Sequence, residues 1–460
     1  MTESIDATRG APGAEGLRGL CGGRVYLPGD PGYDEARVPW AVHVDLRPAA
    51  VALPGTADEV RELVEAAARA GLAVAPQGSG HGAGPLAGRD LSGAVLIRLT
   101  ALTGVTIDAE RRLARVLGGT EWQEVVEAAA PYGLAALHGS SPDVSVVGYT
   151  LGGGVSWFAR QHGLAAHHVR AVELVLPDGR AVRADAEHEH ELFWALKGGG
   201  GNFGVVTAIE FDLLPIADAV AGMMFWPLER AADVLPAWVS WTREVPETVS
   251  TSMRLMNLPP LPELPPFLRG RRLIVVDGTV LGADERAAEL LAPLRALGPE
   301  MDTFTRVPAA ALTRIHMDPE GPTPSVSNAV VLSDLPGEAV TALLDLAGPG
   351  TATALLSAEI RHLGGALRRP ADAALEAVAG EYLGFFVAIA ATPEAGAQGY
   401  ADGARAVAAL APWASGETLL NFAENPADVS TAFAPDAWRR LQAVREAVDP
   451  EGRLVAPHPL

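Results

Sequence analysis

Apolar and polar positions follow two rhythms along this chain. Up to about residue 215, short apolar runs at 73–75, 95–99, 105–108, 113–117, 169–176, 180–184 and 205–213 predict strands. Helical segments separate them. Thr56-Ala57-Asp58-Glu59 has the capping-box pattern and opens a helix ending near Gly71; Thr120-Glu121-Trp122-Gln123 opens another that ends before Pro131. Pro177-Asp178-Gly179 joins two of the strands as a hairpin, residues 188–197 read as a helix, and Pro215 closes the last strand. From 216 to 414 the periods lengthen. Amphipathic helices are predicted at 228–243, 283–297, 336–347 and 395–411, between apolar strands at 272–280, 353–361 and 382–390. The proline run at 258–266 reads as a connecting loop. The last 45 residues predict a strand at 417–423, a helix at 435–448 and a D-P-E-G turn at 449–452. Strands and helices without a strict βα repeat predict an α+β fold.

Three glycine-dense loops interrupt this pattern: P-Q-G-S-G-H at 76–81, G-Y-T-L-G-G-G at 148–154 and G-G-G-G-N-F-G at 198–204. Glycine lacks a Cβ and accepts positive φ, so such loops bring backbone close to a flat or phosphorylated ligand. Residues 199–204 match G-x-G-x-x-G, but a helix pattern precedes them and a strand pattern follows. The dinucleotide fingerprint requires the reverse order, so a Rossmann site is excluded here. The chain has no G-x-x-x-x-G-K-[ST] segment and therefore no P-loop.

Composition narrows the field further. A chain of 460 residues predicts two domains. Its formal charge of −21 disfavours nucleic acid and anionic membranes as partners. Cys21 is the single cysteine, which excludes an intramolecular disulfide or a Cys-based metal site. The first ten residues lack the basic and apolar regions of a signal peptide, and no run of 18 apolar residues occurs, so the expected location is the cytoplasm. His167-His168 are adjacent, and His188-Glu189-His190-Glu191 lacks the i, i+4 histidine spacing of a helical metal site; no metal is expected.

Taken together, V-A-P-Q-G-S-G-H-G-A at 74–83, the segment from Leu137 to Gly154 and L-F-W-A-L-K-G-G-G-G-N-F-G-V-V-T at 192–207 resemble the FAD-binding half of the berberine-bridge-enzyme-like oxidases, within the vanillyl-alcohol-oxidase superfamily with its PCMH-type FAD-binding domain. R-P-A-A-V-A-L-P-G-T at 47–56, A-E-I-R-H-L-G-G-A at 358–366, Leu419 to Phe422 and V-D-P at 448–450 extend the resemblance over nearly the whole chain. It implies a flavin domain of residues 1–215 and 415–460, and a substrate domain of residues 216–414 that lays an antiparallel sheet, covered by helices, over the isoalloxazine. It implies FAD bonded covalently through His81. Ser141 stands where many relatives carry a second, cysteine anchor, so one link is expected. The resemblance further implies that Gly78, Ser79, Gly80 and Gly82 cradle the pyrophosphate, that Ser140, Ser141, Gly148, Gly152 and Gly153 hold the pyrophosphate and flavin edge, that Val205 and Val206 reach FAD through their main chain, and that Ala83, Val144 and Asn421 also contribute to cofactor binding. Gln77 replaces a frequent arginine.

The expected reaction is oxidation of a small organic substrate (an alcohol, sugar or secondary metabolite), with hydride passing to flavin N5 and O₂ as acceptor. A dehydrogenase using another acceptor, or a flavin-binding protein without turnover, are the alternatives. The second is motivated by Leu419, which occupies the place of the usual catalytic tyrosine. Strand alternation puts Glu359 and Arg361 on one face and His362 on the other. Glu359 is the first candidate for the base and Arg361 for binding a substrate anion or polarising a carbonyl. His162, in R-Q-H-G-L, is a candidate proton shuttle, Tyr149 a flavin contact, and His316 and Asp318 candidate pocket-lining residues.

Overall fold

The computed structural model describes residues 13–262 and 264–460; the first ten residues, on which the signal-peptide expectation rests, lie outside them. Three sheets organise the chain. A four-stranded sheet runs in the order Val25–Tyr26, Ala50–Ala52, Ala94–Arg98, Ala73–Gln77, the last three parallel. A five-stranded antiparallel sheet runs Val105–Asp108, Leu113–Leu117, Val205–Asp212, Val169–Val175, Ala181–Asp185. The third sheet is antiparallel and has eight strands: Met301–Asp302, Asp218–Pro227, Arg272–Val280, Val249–Asn257, Leu355–His362, Tyr382–Ile389 and Ser325–Leu332 in order, with Thr305–Pro308 also paired to Asp218–Pro227. Helices and sheets segregate as an α+β fold requires. Among the described residues no helix is long and apolar enough to cross a membrane.

Helix Ala57–Arg69 starts where the pattern puts it, because Thr56 Oγ1 accepts the Glu59 N–H at 3.1 Å. Val60, Leu63, Val64 and Ala67 form its buried stripe against the parallel sheet. Glu59, instead of completing a reciprocal box, accepts from Gly55 N at 2.6 Å. The second helix, Trp122–Ala129, starts one residue later than its expected box. Glu121 and Glu124 form the box, because the Thr120 hydroxyl is taken by the Gly104 backbone.

The strand expected at 417–423 does not form. The chain makes a single 3₁₀ turn, Leu420–Phe422. Asn421 spends its side-chain amide on the Tyr149 carbonyl and the Gly154 N–H, at 3.0 and 2.8 Å, which bends the segment across the second glycine loop. Strands Asp218–Pro227, Val249–Asn257 and Ser325–Leu332 were not evident from the pattern. The C-terminal residues return to the first half: Leu441 and Val444 of helix Pro435–Val448 enter the core under the five-stranded sheet, and Val74 exchanges backbone hydrogen bonds with Arg453 and Val455.

Candidate active site between the glycine loops and the large sheet

The first glycine loop leaves strand Ala73–Gln77 and enters the 3₁₀ segment His81–Leu86. Gly80 sits at φ 90° with Pro39 where a Cβ would be, 2.8 Å away, so any side chain there is both strained and blocked. A Cβ on Gly78 would lie 2.4 Å from Ser145 Oγ; the first loop thus packs directly on the second. Ala83 is buried, while Gly82 faces open space.

His81 is held from three sides. Its ring stacks on Trp40 with centroids 4.0 Å apart and 18° between planes. Ser79 Oγ lies 2.9 Å from Nδ1, and Asp143 Oδ1 3.4 Å from Nε2. The other Asp143 oxygen accepts from Trp40 Nε1 at 2.7 Å and Gly321 N at 2.9 Å. Burial alone would raise the Asp143 pKa; His81, Gly321 and Trp40 outweigh it and bring it down to about 2. Glu121, half-buried nearby, is pushed up to about 7 by burial and by Asp143.

The second loop carries Ser140, Ser141, Val144 and helix Val146–Leu151, with Gly148 open on its outer side. Val144 is partly buried and its carbonyl accepts the Trp122 N–H. Gly152 and Gly153 press on Asn421 and Leu375. Val205 and Val206 begin strand Val205–Asp212; both are buried, in register with Val175 and Leu174. Gln77 Oε1, His81 Nε2, Asp143 Oδ1 and Tyr149 Oη are buried along the seam of the two loops, without hydrogen-bond partners among the described residues. Buried polar atoms are rarely left so. A seam of small residues and orphaned polar atoms fits a polar, phosphate-bearing cofactor such as FAD.

The large sheet presents its charged residues to this seam. Glu359 and Arg361 do share a face: Arg361 Nε donates to Glu359 Oε1 at 2.8 Å, while His362 stacks on Tyr382 on the opposite face. Glu359 pairs across the sheet with Arg254, and Arg361 with Ser252. Asp277, fully buried, accepts from Arg254 at 2.8 Å, from Ser252 at 2.6 Å and from His316 Nδ1 at 2.8 Å. The other His316 nitrogen faces Glu359 Oε2 at 3.5 Å and Asp318 Oδ1 at 3.8 Å. Asp318 in turn accepts from Ser140 and Ser141, at 2.7 and 3.1 Å, and so ties the second glycine loop to the sheet. Arg361 lies over the Phe422 ring at 5.4 Å.

The electrostatics of this cluster follow from its burial. Desolvation opposes the charge on Glu359, yet Arg361 and His316 hold its carboxyl well below the usual range. Desolvation and Arg254 press His316 down, and Asp318, Asp277 and Glu359 lift it to about 9. Tyr149, buried without a partner, is pushed above the normal phenol range.

His162 stands apart from this group. Its helix, Ala159–His162, packs on Gly365–Arg368, its carbonyl accepts from His168 Nε2, and burial lowers its pKa. His167 similarly donates to the Leu375 carbonyl. The motifs did not point to Trp40, Asp143, Ser252, Arg254 or Asp277. Asp277 had a signal, being the lone acidic residue inside the apolar run 272–280. A small cavity beside His81 is lined by Trp40, His43, Ser327, Glu424 and Asn425. A larger, open hollow at Asn257, Arg272, Thr351 and Asp402 is framed by helix Pro393–Leu410, away from the glycine loops.

Comparison with known proteins agrees with this geometry. A model described as FAD binding domain matches residues 48–185. The uncharacterized FAD-linked oxidoreductase YvdP of Bacillus subtilis is 29% identical over 66% of this chain and 65% of its own length. (R)-6-hydroxynicotine oxidase of Paenarthrobacter nicotinovorans is 33% identical over 44% of each chain. The match thus spans less than two thirds of either curated relative. Among solved structures, Physcomitrella patens BBE-like 1 superposes with a TM-score of 0.82 at 19% identity, covering 95% of this chain and 96% of that one. 6-Hydroxy-D-nicotine oxidase from Arthrobacter nicotinovorans gives 0.77 at 24% identity, covering 93% and 95%. With the glycine-loop seam in place, the chain carries an FAD-binding domain over residues 48–185 and shares the fold of BBE-like 1 and 6-hydroxy-D-nicotine oxidase.

Proposed function

We propose that the protein is an FAD-linked oxidoreductase, an oxidase that takes hydride from a small organic substrate such as an alcohol, sugar or secondary metabolite and uses O₂ as acceptor. The observation that carries this reading is the buried Glu359–Arg361–His316 cluster, tied through Asp318 to the serines of the second glycine loop. When bound, FAD supplies the hydride acceptor and the route for two electrons to leave. Amides of Gly78, Ser79, Gly80 and Gly82 would hold its pyrophosphate, and Ser140, Ser141, Gly148, Gly152, Gly153 and Asn421 the flavin edge. His81 is the proposed single covalent anchor, since Ser141 has no thiol. A cytoplasmic location is part of the proposal, in keeping with a chain whose one cysteine is buried.

The residues divide the remaining work. Hydride can leave a carbinol carbon only as the hydroxyl proton is withdrawn. Glu359, held as a carboxylate between Arg361 at Oε1 and His316 at Oε2, is the group that accepts that proton. Arg361 fixes the carboxylate by its bond to Oε1 and offers its remaining N–H groups to substrate oxygen. His316 holds positive charge against Glu359 Oε2, and Asp277 fixes the ring through Nδ1.

Glu359→Gln keeps the shape and removes the acceptor. Anaerobic bleaching of the flavin by substrate should slow at least about tenfold, the lower range for a lost general base. An unchanged rate would remove Glu359 from the role.

A further inference from the structure

We propose that Asp143 is a positioning residue for His81: it selects the imidazole tautomer with hydrogen on Nε2 and takes that proton as Nδ1 bonds the flavin. The proposal rests on the reading of His81 as the covalent anchor.

The geometry supports it from each side of the ring. Trp40 Nε1–H and the Gly321 N–H both donate to Asp143 Oδ2, which anchors the carboxylate and leaves Oδ1 without a bond of its own. That free oxygen lies 3.4 Å from His81 Nε2, which is likewise buried and unsatisfied. A carboxylate only accepts, so it favours hydrogen on Nε2 and leaves the lone pair on Nδ1. On the other side the Ser145 N–H donates to Ser79 Oγ at 3.2 Å, and Ser79 Oγ meets Nδ1 at 2.9 Å. Ser79 therefore donates its O–H to Nδ1 in the same tautomer. The Trp40 stack fixes the ring plane. A nucleophilic nitrogen on one edge and an oriented base on the other is the arrangement that activates a histidine.

The new bond joins Nδ1 to the flavin 8α carbon. It replaces one C–H of that methyl group and one imidazole N–H, whose proton passes to Asp143. The two electrons released go to O₂, and with two protons yield hydrogen peroxide.

The test is covalent incorporation, read without any substrate. Wild type and Asp143→Asn are produced flavin-depleted and incubated with FAD in air, and acid-insoluble flavin and intact mass are followed in time. Wild type should gain the mass of FAD less two hydrogens. Asp143→Asn, whose amide offers N–H where a carboxylate accepted, should incorporate at least about tenfold more slowly. Its affinity for non-covalent FAD should stay within about threefold, which separates positioning from collapse of the loop. Covalent wild type with equally fast Asp143→Asn overturns the role of Asp143 and leaves the His81 anchor standing. No covalent flavin in wild type overturns both. Should Asp143→Asn fail to fold, Trp40→Phe keeps the stack and removes the donor to Oδ2; slowed incorporation is then expected, and wild-type speed overturns the proposal.

Discussion

At the scale of single residues, the site depends on charges taken out of water and made to compensate one another. Asp277, His316, Glu359 and Arg361 are each partnered within the cluster. Truncating one member leaves the others uncompensated, which costs far more than an exposed pair. His316 gives this a pH signature. Its folded pKa, about 9, lies above the 6.5 of a free histidine. The stability it contributes is therefore complete below about pH 6.5 and is lost as pH rises through 9. The full loss amounts to up to about 3 kcal/mol. Thermal melts of wild type should fall across that window, while His316→Asn should start lower and change less; parallel curves would contradict the assignment. Of these residues, Glu359 and Arg361 were legible because strand alternation alone puts them on one face. His316 and Asp318 could be named only as loop residues. Arg254 and Ser252 were hidden because Val249–Asn257 mixes apolar and polar positions too irregularly to announce a strand, and only its pairing to Leu355–His362 brings them to the site.

At the scale of elements, periodicity succeeded where one face of an element is buried. Arg272–Val280 has its expected bounds, and helix Ala57–Arg69 follows from an apolar stripe plus a capping threonine. It failed at 417–423, where a side-chain amide bonding to a distant loop overrides local β-propensity. Helix Pro435–Val448 illustrates how a distant element joins the first half of the chain: Leu441 is fully buried, and it would be only 2.7 Å from a Cβ on Gly199 in the third glycine loop. Leu441→Ala should destabilise by about 2–5 kcal/mol, the range for a buried leucine. Chemical denaturation would measure it. A change below about 1 kcal/mol would mean that the helix does not depend on this contact.

At the scale of the whole molecule, two loop-bearing sheets and a separate large sheet meet where orphaned polar atoms and a buried ion cluster face one another. The family pattern of the glycine loops made that meeting legible, but the composition of the large sheet's face was not, since it depends on register among strands distant in sequence. Within this junction His81 is the proposed covalent anchor for FAD. Acid precipitation of the purified protein, followed by absorbance of pellet and supernatant, tests it most directly, with His81→Ala alongside. With His81 as the anchor, flavin is expected in the wild-type pellet and in the variant's supernatant. Flavin released from wild type, or retained by His81→Ala, would contradict the covalent link.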